Sequence, residues 1–131
     1  MNPTRRYTQA QSATASPERL MILLFEAALR HMRSGASALD VGRQADANRA
    51  LAQASDIVTE LASTFDAARH PALGAQLKQV YGFVLERLLL ANARRDAVLA
   101  REAERVFAPV VEGFTLAVQQ IQSQRAGGAT P

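Results

Sequence analysis

The chain contains no cysteine and no tryptophan among its 131 residues. The absence of cysteine excludes a disulfide framework, a cysteine nucleophile and any thiolate metal site, and it is typical of a reducing compartment. Glycine and proline are scarce, at seven and five residues, which is few for the many turns of an all-β chain. A chain of this length buries a core that needs no metal or crosslink to be stable.

Long apolar runs are missing as well. No run approaches the ~18 residues of a membrane-spanning helix, and the polar residues 1–6 precede no signal-type apolar stretch. We therefore expect a cytoplasmic protein that does not insert into a membrane.

Positive charge is in small excess. Fifteen Lys+Arg oppose twelve Asp+Glu, giving a net charge of +3. All of these bases except Lys78 are arginine, so the pI of about 10.2 reflects the high pKa of arginine more than a large surplus. A nucleic-acid-binding domain normally clusters more cations than this, so we expect no nucleic-acid partner.

Alanine and leucine, with 26 and 15 residues, dominate the composition and favour helices. Ser16-Pro17 predicts a helix start, because serine caps the first turn and proline suits the first helical position. Gly42 predicts where this first helix ends. The apolar spacing predicts a second helix over about 46–66 and a third from about Pro71.

A fourth helix is predicted from about Asp96, with a kink or break near Ala108, because Pro109 removes a backbone hydrogen bond. Four amphipathic helices with short connections predict an all-α, antiparallel four-helix bundle over residues 16–124. The polar residues 1–15 are predicted to form a flexible arm, and residues 125–131 a disordered tail.

Catalytic and metal-binding patterns are absent from the sequence. Asp66 and His70 could share one helix face, but no second pair completes a site, and His31 lies on another segment. No nucleophile elbow, phosphate-binding glycine loop or paired carboxylate on an apolar face is found. We predict that the protein is not an enzyme and binds no metal or cofactor.

Two segments, Leu20–Leu29 and Val84–Ala91, carry more apolar residues than one helix face holds. Either these helices are central in the core, or part of their surface forms a groove for a helix of another protein.

The chain resembles the flagellar secretion chaperone FliS family over residues 7–120. The resemblance rests on the order and spacing of short motifs rather than on any one of them. They are Tyr7, Thr14-Ala15-Ser16-Pro17 with Glu18 and Leu20, Leu23-Leu24-Phe25, Asn48, Ala54, Asp56-Ile57, Glu60-Leu61, and Tyr81 through Arg87-Leu88 and Ala91-Asn92 to Asp96. Phe25 stands where the family usually has tyrosine, and Phe114 where it usually has tryptophan; Pro109 and Gly113 replace ordinary helix residues.

The resemblance implies a chaperone that binds the disordered C-terminal segment of flagellin, prevents its premature polymerisation and keeps it competent for flagellar type III secretion. It also implies docking on the cytosolic part of the flagellar export gate. The chain itself would be a monomer or weak homodimer. A helical adaptor or regulatory bundle that binds another protein is the alternative, with nucleic acid less favoured. The predicted partner-binding residues are Tyr7, Leu20, Leu24, Ile57, Leu61, Tyr81, Leu85, Leu88 and Asn92.

Overall fold

The computed structural model describes residues 16–64 and 71–128, and these form four helices and no strand. The helices are α1 (Pro17–Asp40), α2 (Gln44–Thr64), α3 (Pro71–Arg94) and α4 (Ala97–Gly128). The all-α prediction is therefore confirmed. Residues 1–15, predicted to be a flexible arm, lie outside the described residues.

Helix α1 begins and ends where its local sequence predicts. The backbone N–H of Arg19 donates to Oγ of Ser16 at 3.2 Å, and Pro17 occupies the first turn. Gly42 follows the helix with a φ of 74°, a left-handed conformation that glycine adopts without steric cost.

Helix α4 is longer and less interrupted than predicted. It passes through Pro109 without a break. Pro109 is exposed, where water can hydrogen-bond to the carbonyl group that proline leaves without a donor. The helix continues to Gly128, so residues 125–128 are helical where a disordered tail was predicted. Nη2 of Arg125 lies 4.0 Å from Oε1 of Glu18 on α1, a contact that no local pattern indicates.

The four helices form a closed ring. Helix α1 packs against α2 and α4, and α3 packs against the same two neighbours. Ion pairs join the end of α1 to the start of α4, as Asp40 with Arg101, and the start of α1 to the end of α4, as Glu18 with Arg125. Helices α1 and α4 therefore run antiparallel, as in an up-and-down bundle.

Small side chains bring α1 and α2 close together. Seven of the seventeen buried residues on these two helices are alanines, and Gly35 on α1 lies directly against Leu51 of α2. A Cβ atom added at Gly35 would lie 2.5 Å from Cδ2 of Leu51. Leu51 is 1% exposed, so it has no free space into which to move.

We therefore expect Gly35→Ala to lower the free energy of unfolding by about 1 kcal/mol. Overpacking lowers the free energy of unfolding by about 1–3 kcal/mol, and the better helix propensity of alanine offsets up to about 1 kcal/mol of that loss. The matched control is Gly82→Ala on α3, where an added Cβ meets nothing within 4 Å. Urea denaturation should show this control to be more stable by about 0.5–1 kcal/mol. A gain in stability for Gly35→Ala would contradict the close contact between Gly35 and Leu51.

Candidate protein-docking grooves

Helix α3 carries apolar residues on more than one face. Tyr81, Val84 and Leu88 point into the core, while Leu77 and Leu85 are half-buried. Leu89 is 69% exposed, which is unusual for a leucine in the middle of a helix. The apolar surplus that the sequence indicates therefore extends from the core to the surface of α3.

One groove lies between α3 and the neighbouring parts of α1 and α4. It has a volume of about 390 Å³. We call it the aromatic groove, because the rings of Phe25, Tyr81 and Phe114 form part of its wall. Gln76 is its only lining residue with a polar side chain apart from the Tyr81 hydroxyl. The other lining residues are Met21, Leu77, Val80, Pro109, Val110, Gly113 and Ala117.

A second groove, of about 440 Å³, lies on the other side of α3, between that helix and the end of α2. We call it the lysine groove, after Lys78, the one charged residue among the described residues of its lining. The lining residues are Ala62, Gly74, Leu77, Lys78, Tyr81, Gly82 and Leu85.

The two grooves share Leu77 and Tyr81, which form a ridge between them on α3. Tyr81 is 4% exposed, and burial raises the pKa of its phenol above the ordinary value. Its ring therefore stays neutral throughout the physiological pH range. A single bound chain could contact both grooves by crossing this ridge.

Aromatic contacts hold the floor of the aromatic groove in place. The ring of Phe25 on α1 lies 5.6 Å from that of Phe107 and 5.1 Å from that of Phe114, both on α4. The Tyr81 ring on α3 lies 6.4 Å from that of Phe107. These tilted rings are at distances typical of favourable aromatic pairs, so the floor is a packed surface.

A polar cluster joins α3 to α4 beyond the grooves. The guanidinium of Arg87 lies 4.6 Å from the centre of the Phe83 ring, and its Nε lies 3.2 Å from Oε2 of Glu102. Oδ1 of Asn92, one turn further along α3, is buried and has no hydrogen-bond partner among the described residues. A buried amide oxygen without a donor is energetically costly.

Two arginines that link α1 to α4 are paired with carboxylates. Arg101 binds both carboxylate oxygens of Asp40, and Nε of Arg33 lies 2.8 Å from Oε1 of Glu104. The guanidinium of Arg101 holds the pKa of Asp40 below its ordinary value. These ion pairs neutralise the charges of Arg33 and Arg101 locally.

The predicted partner-binding residues divide by burial. Tyr81 and Leu85 line the grooves. Leu20 and Asn92 are half-buried outside the two groove linings, and Tyr7 lies outside the described residues. The others are core residues with 8% exposure or less: Leu24, Ile57, Leu61 and Leu88.

Several groove residues were not predicted from the sequence. They include Met21, Lys78, Gly82, Pro109 and Gly113. The sequence does point to Pro109 and Gly113. Both depart from the pattern of the resembled family, and residues four apart lie on the same face of a helix. Their common side of α4 lines the aromatic groove.

The described residues contain no group of three or more side chains able to hold a metal ion. Asp66 and His70, the pair considered for metal binding, lie outside these residues. None of the helices in the described part of the chain is both long and apolar enough to cross a membrane.

Comparison with known proteins supports the resemblance seen in the motifs. A family model described as "Flagellar protein FliS" matches residues 1–121. A comparison with curated proteins finds no match. FliS is a chaperone family and not a known enzyme family. The match covers most of the chain, including α1 to α3 and most of α4, and the chain therefore belongs to the FliS family of flagellar export chaperones.

Proposed function

We propose that this protein is a cytoplasmic chaperone that binds the disordered C-terminal segment of flagellin. By covering that segment it prevents premature polymerisation and keeps flagellin competent for flagellar type III secretion. The observation that carries the proposal is the pair of apolar grooves that meet at Leu77 and Tyr81. Family membership supports the flagellar client.

The physical requirement is a long apolar contact. A disordered client loses conformational entropy when it orders, and it needs extensive burial of apolar surface to offset that loss. Segments that fold on binding bury ~1,000–3,000 Å², which is more than one groove of this size provides. The exposed Leu89 continues the apolar surface along α3 beyond Leu85 and gives the client a longer track. The chaperone acts by stoichiometric capping, without nucleotide hydrolysis or a cofactor.

The predicted partner-binding residues take two roles in this proposal. Tyr81 and Leu85 contact the client directly, and Leu20 extends the contact beside Met21 at the aromatic groove. Asn92, half-buried on α3 beyond the two groove linings, adds a polar contact to the client. The four core residues support the grooves from below, and Tyr7 adds a contact from the N-terminal arm.

Two further partner interactions belong to the proposal. The bundle docks on the cytosolic part of the flagellar export gate, so that a capped client is delivered to the secretion machinery. The chain itself is a monomer or a weak homodimer, which leaves α3 accessible to the client.

Binding of flagellin is tested by calorimetric titration of the full chain with a peptide of the flagellin C-terminal segment. We expect one-to-one binding with a Kd in the micromolar range or tighter, which corresponds to a binding free energy of ~−8 kcal/mol or a more negative value. We also expect a negative heat-capacity change, because apolar surface is buried. A peptide of the same composition in scrambled order is the control. If the peptide does not bind, and a pull-down recovers a different stoichiometric protein, the adaptor alternative replaces this function.

The grooves are tested by filling them at positions with no side chain. Gly82→Leu and Gly113→Leu each place a large side chain in a groove lining, where an added Cβ meets nothing within 4 Å. We expect each substitution to raise the Kd for the peptide by about tenfold or more, equivalent to ~1.4 kcal/mol of binding free energy, while leaving the fold intact.

Ala52→Leu is the matched control, because Ala52 is exposed on α2 and lines neither groove. Both glycine variants should melt at or above the wild-type temperature and Ala52→Leu close to it, since the helix propensity of leucine is much better than that of glycine and only slightly below that of alanine. Equal affinity for all three variants and the wild type would place the client elsewhere on the bundle.

A further inference from the structure

Lys78 is the only lysine of the chain, and it lies in the lining of the lysine groove. The other lining residues are Ala62, Leu77, Leu85, Tyr81 and two glycines, none of which carries a charge. No carboxylate among the described residues forms an ion pair with Lys78. The groove thus presents one cation without a described counterion, surrounded by apolar side chains.

The aromatic groove differs in this respect, because none of its lining residues is charged. The two grooves are otherwise alike in size and share Leu77 and Tyr81. A partner that fills both therefore meets a purely apolar surface on one side of the ridge and an apolar surface with a single cation on the other. This difference favours one orientation of a partner across the ridge over the reverse orientation.

Lys78 and Gly82 are both exposed and, being four residues apart, share one face of α3. Because Gly82 has no side chain, the backbone of a guest helix can approach α3 closely beside Lys78. A carboxylate on that guest helix then comes within reach of the flexible lysine stem.

We propose that Lys78 is a specificity-determining residue that pairs with a carboxylate on the apolar face of the client helix bound in the lysine groove. The inference rests on the proposed function, and it adds the chemistry by which the client is recognised and its register fixed. An apolar helix without a carboxylate at that position leaves the lysine ammonium partly desolvated and unpaired, which disfavours it. A nucleic acid is a poorer occupant, because its phosphates need several cations and the groove has one.

The test compares the full-length wild-type protein with Lys78→Gln in calorimetric titration with the flagellin C-terminal peptide. We expect Lys78→Gln to weaken binding by about two- to fivefold at low salt, the range of a partly exposed ion pair, and the difference to shrink at high salt. Arg94→Gln is the matched control. It removes one exposed cation from the same helix, 16 residues or ~24 Å away, which is more than twice the Debye length of ~10 Å at ~0.1 M salt.

A second arm identifies the carboxylate. Each Asp and Glu of the peptide is replaced in turn by Asn or Gln, and each peptide is titrated against both proteins. We expect one replacement to weaken binding to the wild type but not to Lys78→Gln. An oligonucleotide that competes with the peptide on the wild type but not on Lys78→Gln would assign the lysine to phosphate and overturn the inference.

The possible failures are distinct. If the wild-type protein does not bind the peptide, the proposed function fails and this inference fails with it. If the wild type binds, but Lys78→Gln matches the wild type and Arg94→Gln, only the inference is overturned. The same holds if no single carboxylate couples to Lys78. Circular dichroism confirms that both variants are folded, as expected for exposed positions.

Discussion

Three of the four helices meet at one cluster of aromatic rings. Phe25 of α1 contacts Phe107 and Phe114 of α4, and Phe107 contacts Tyr81 of α3. Three of these rings, all except Phe107, also line the aromatic groove. The bundle and its candidate binding surface therefore depend on the same contacts. A groove with such a floor keeps its shape without a client, because the rings that form it are fixed from the other side by the core.

Some pairs of helices in the bundle pack more closely than others, and this difference determines where apolar grooves remain. Helices α1 and α2 approach closely where Gly35 lies against Leu51, which leaves no room for a Cβ atom at position 35. Helix α3 contacts its two neighbours with larger side chains, and a groove remains on each side of its first half. The close packing of α1 against α2 stabilises the bundle. The more open packing around α3 leaves apolar surface on which a client helix can pack.

The elements of the fold were predictable because their signals are local. Ser16, Pro17 and Gly42 act on the turn in which they stand, and their effects do not depend on the other helices. The grooves depend on which helix flanks α3 on each side, and the apolar residues on more than one face of α3 do not indicate this. Leu61 and Leu88, two of the predicted partner-binding residues, are 0% and 1% exposed in the bundle. The periodicity of the sequence places them on an apolar stripe, but it does not distinguish the side that faces the core from the side that faces a groove.

Pro109 and Gly113 show how a departure from a family pattern can change a surface without changing the fold. Helix α4 continues through both residues, so neither breaks the bundle. Both line the aromatic groove, where Gly113 contributes no side chain. Phe114 adds a smaller ring than the tryptophan usual in the family. Gly113 and Phe114 therefore reduce the side-chain volume of the α4 wall. In the proposed complex, most of the entropy lost on binding comes from the client, because the floor is already ordered, and the affinity depends on how much apolar surface the client buries in the two grooves.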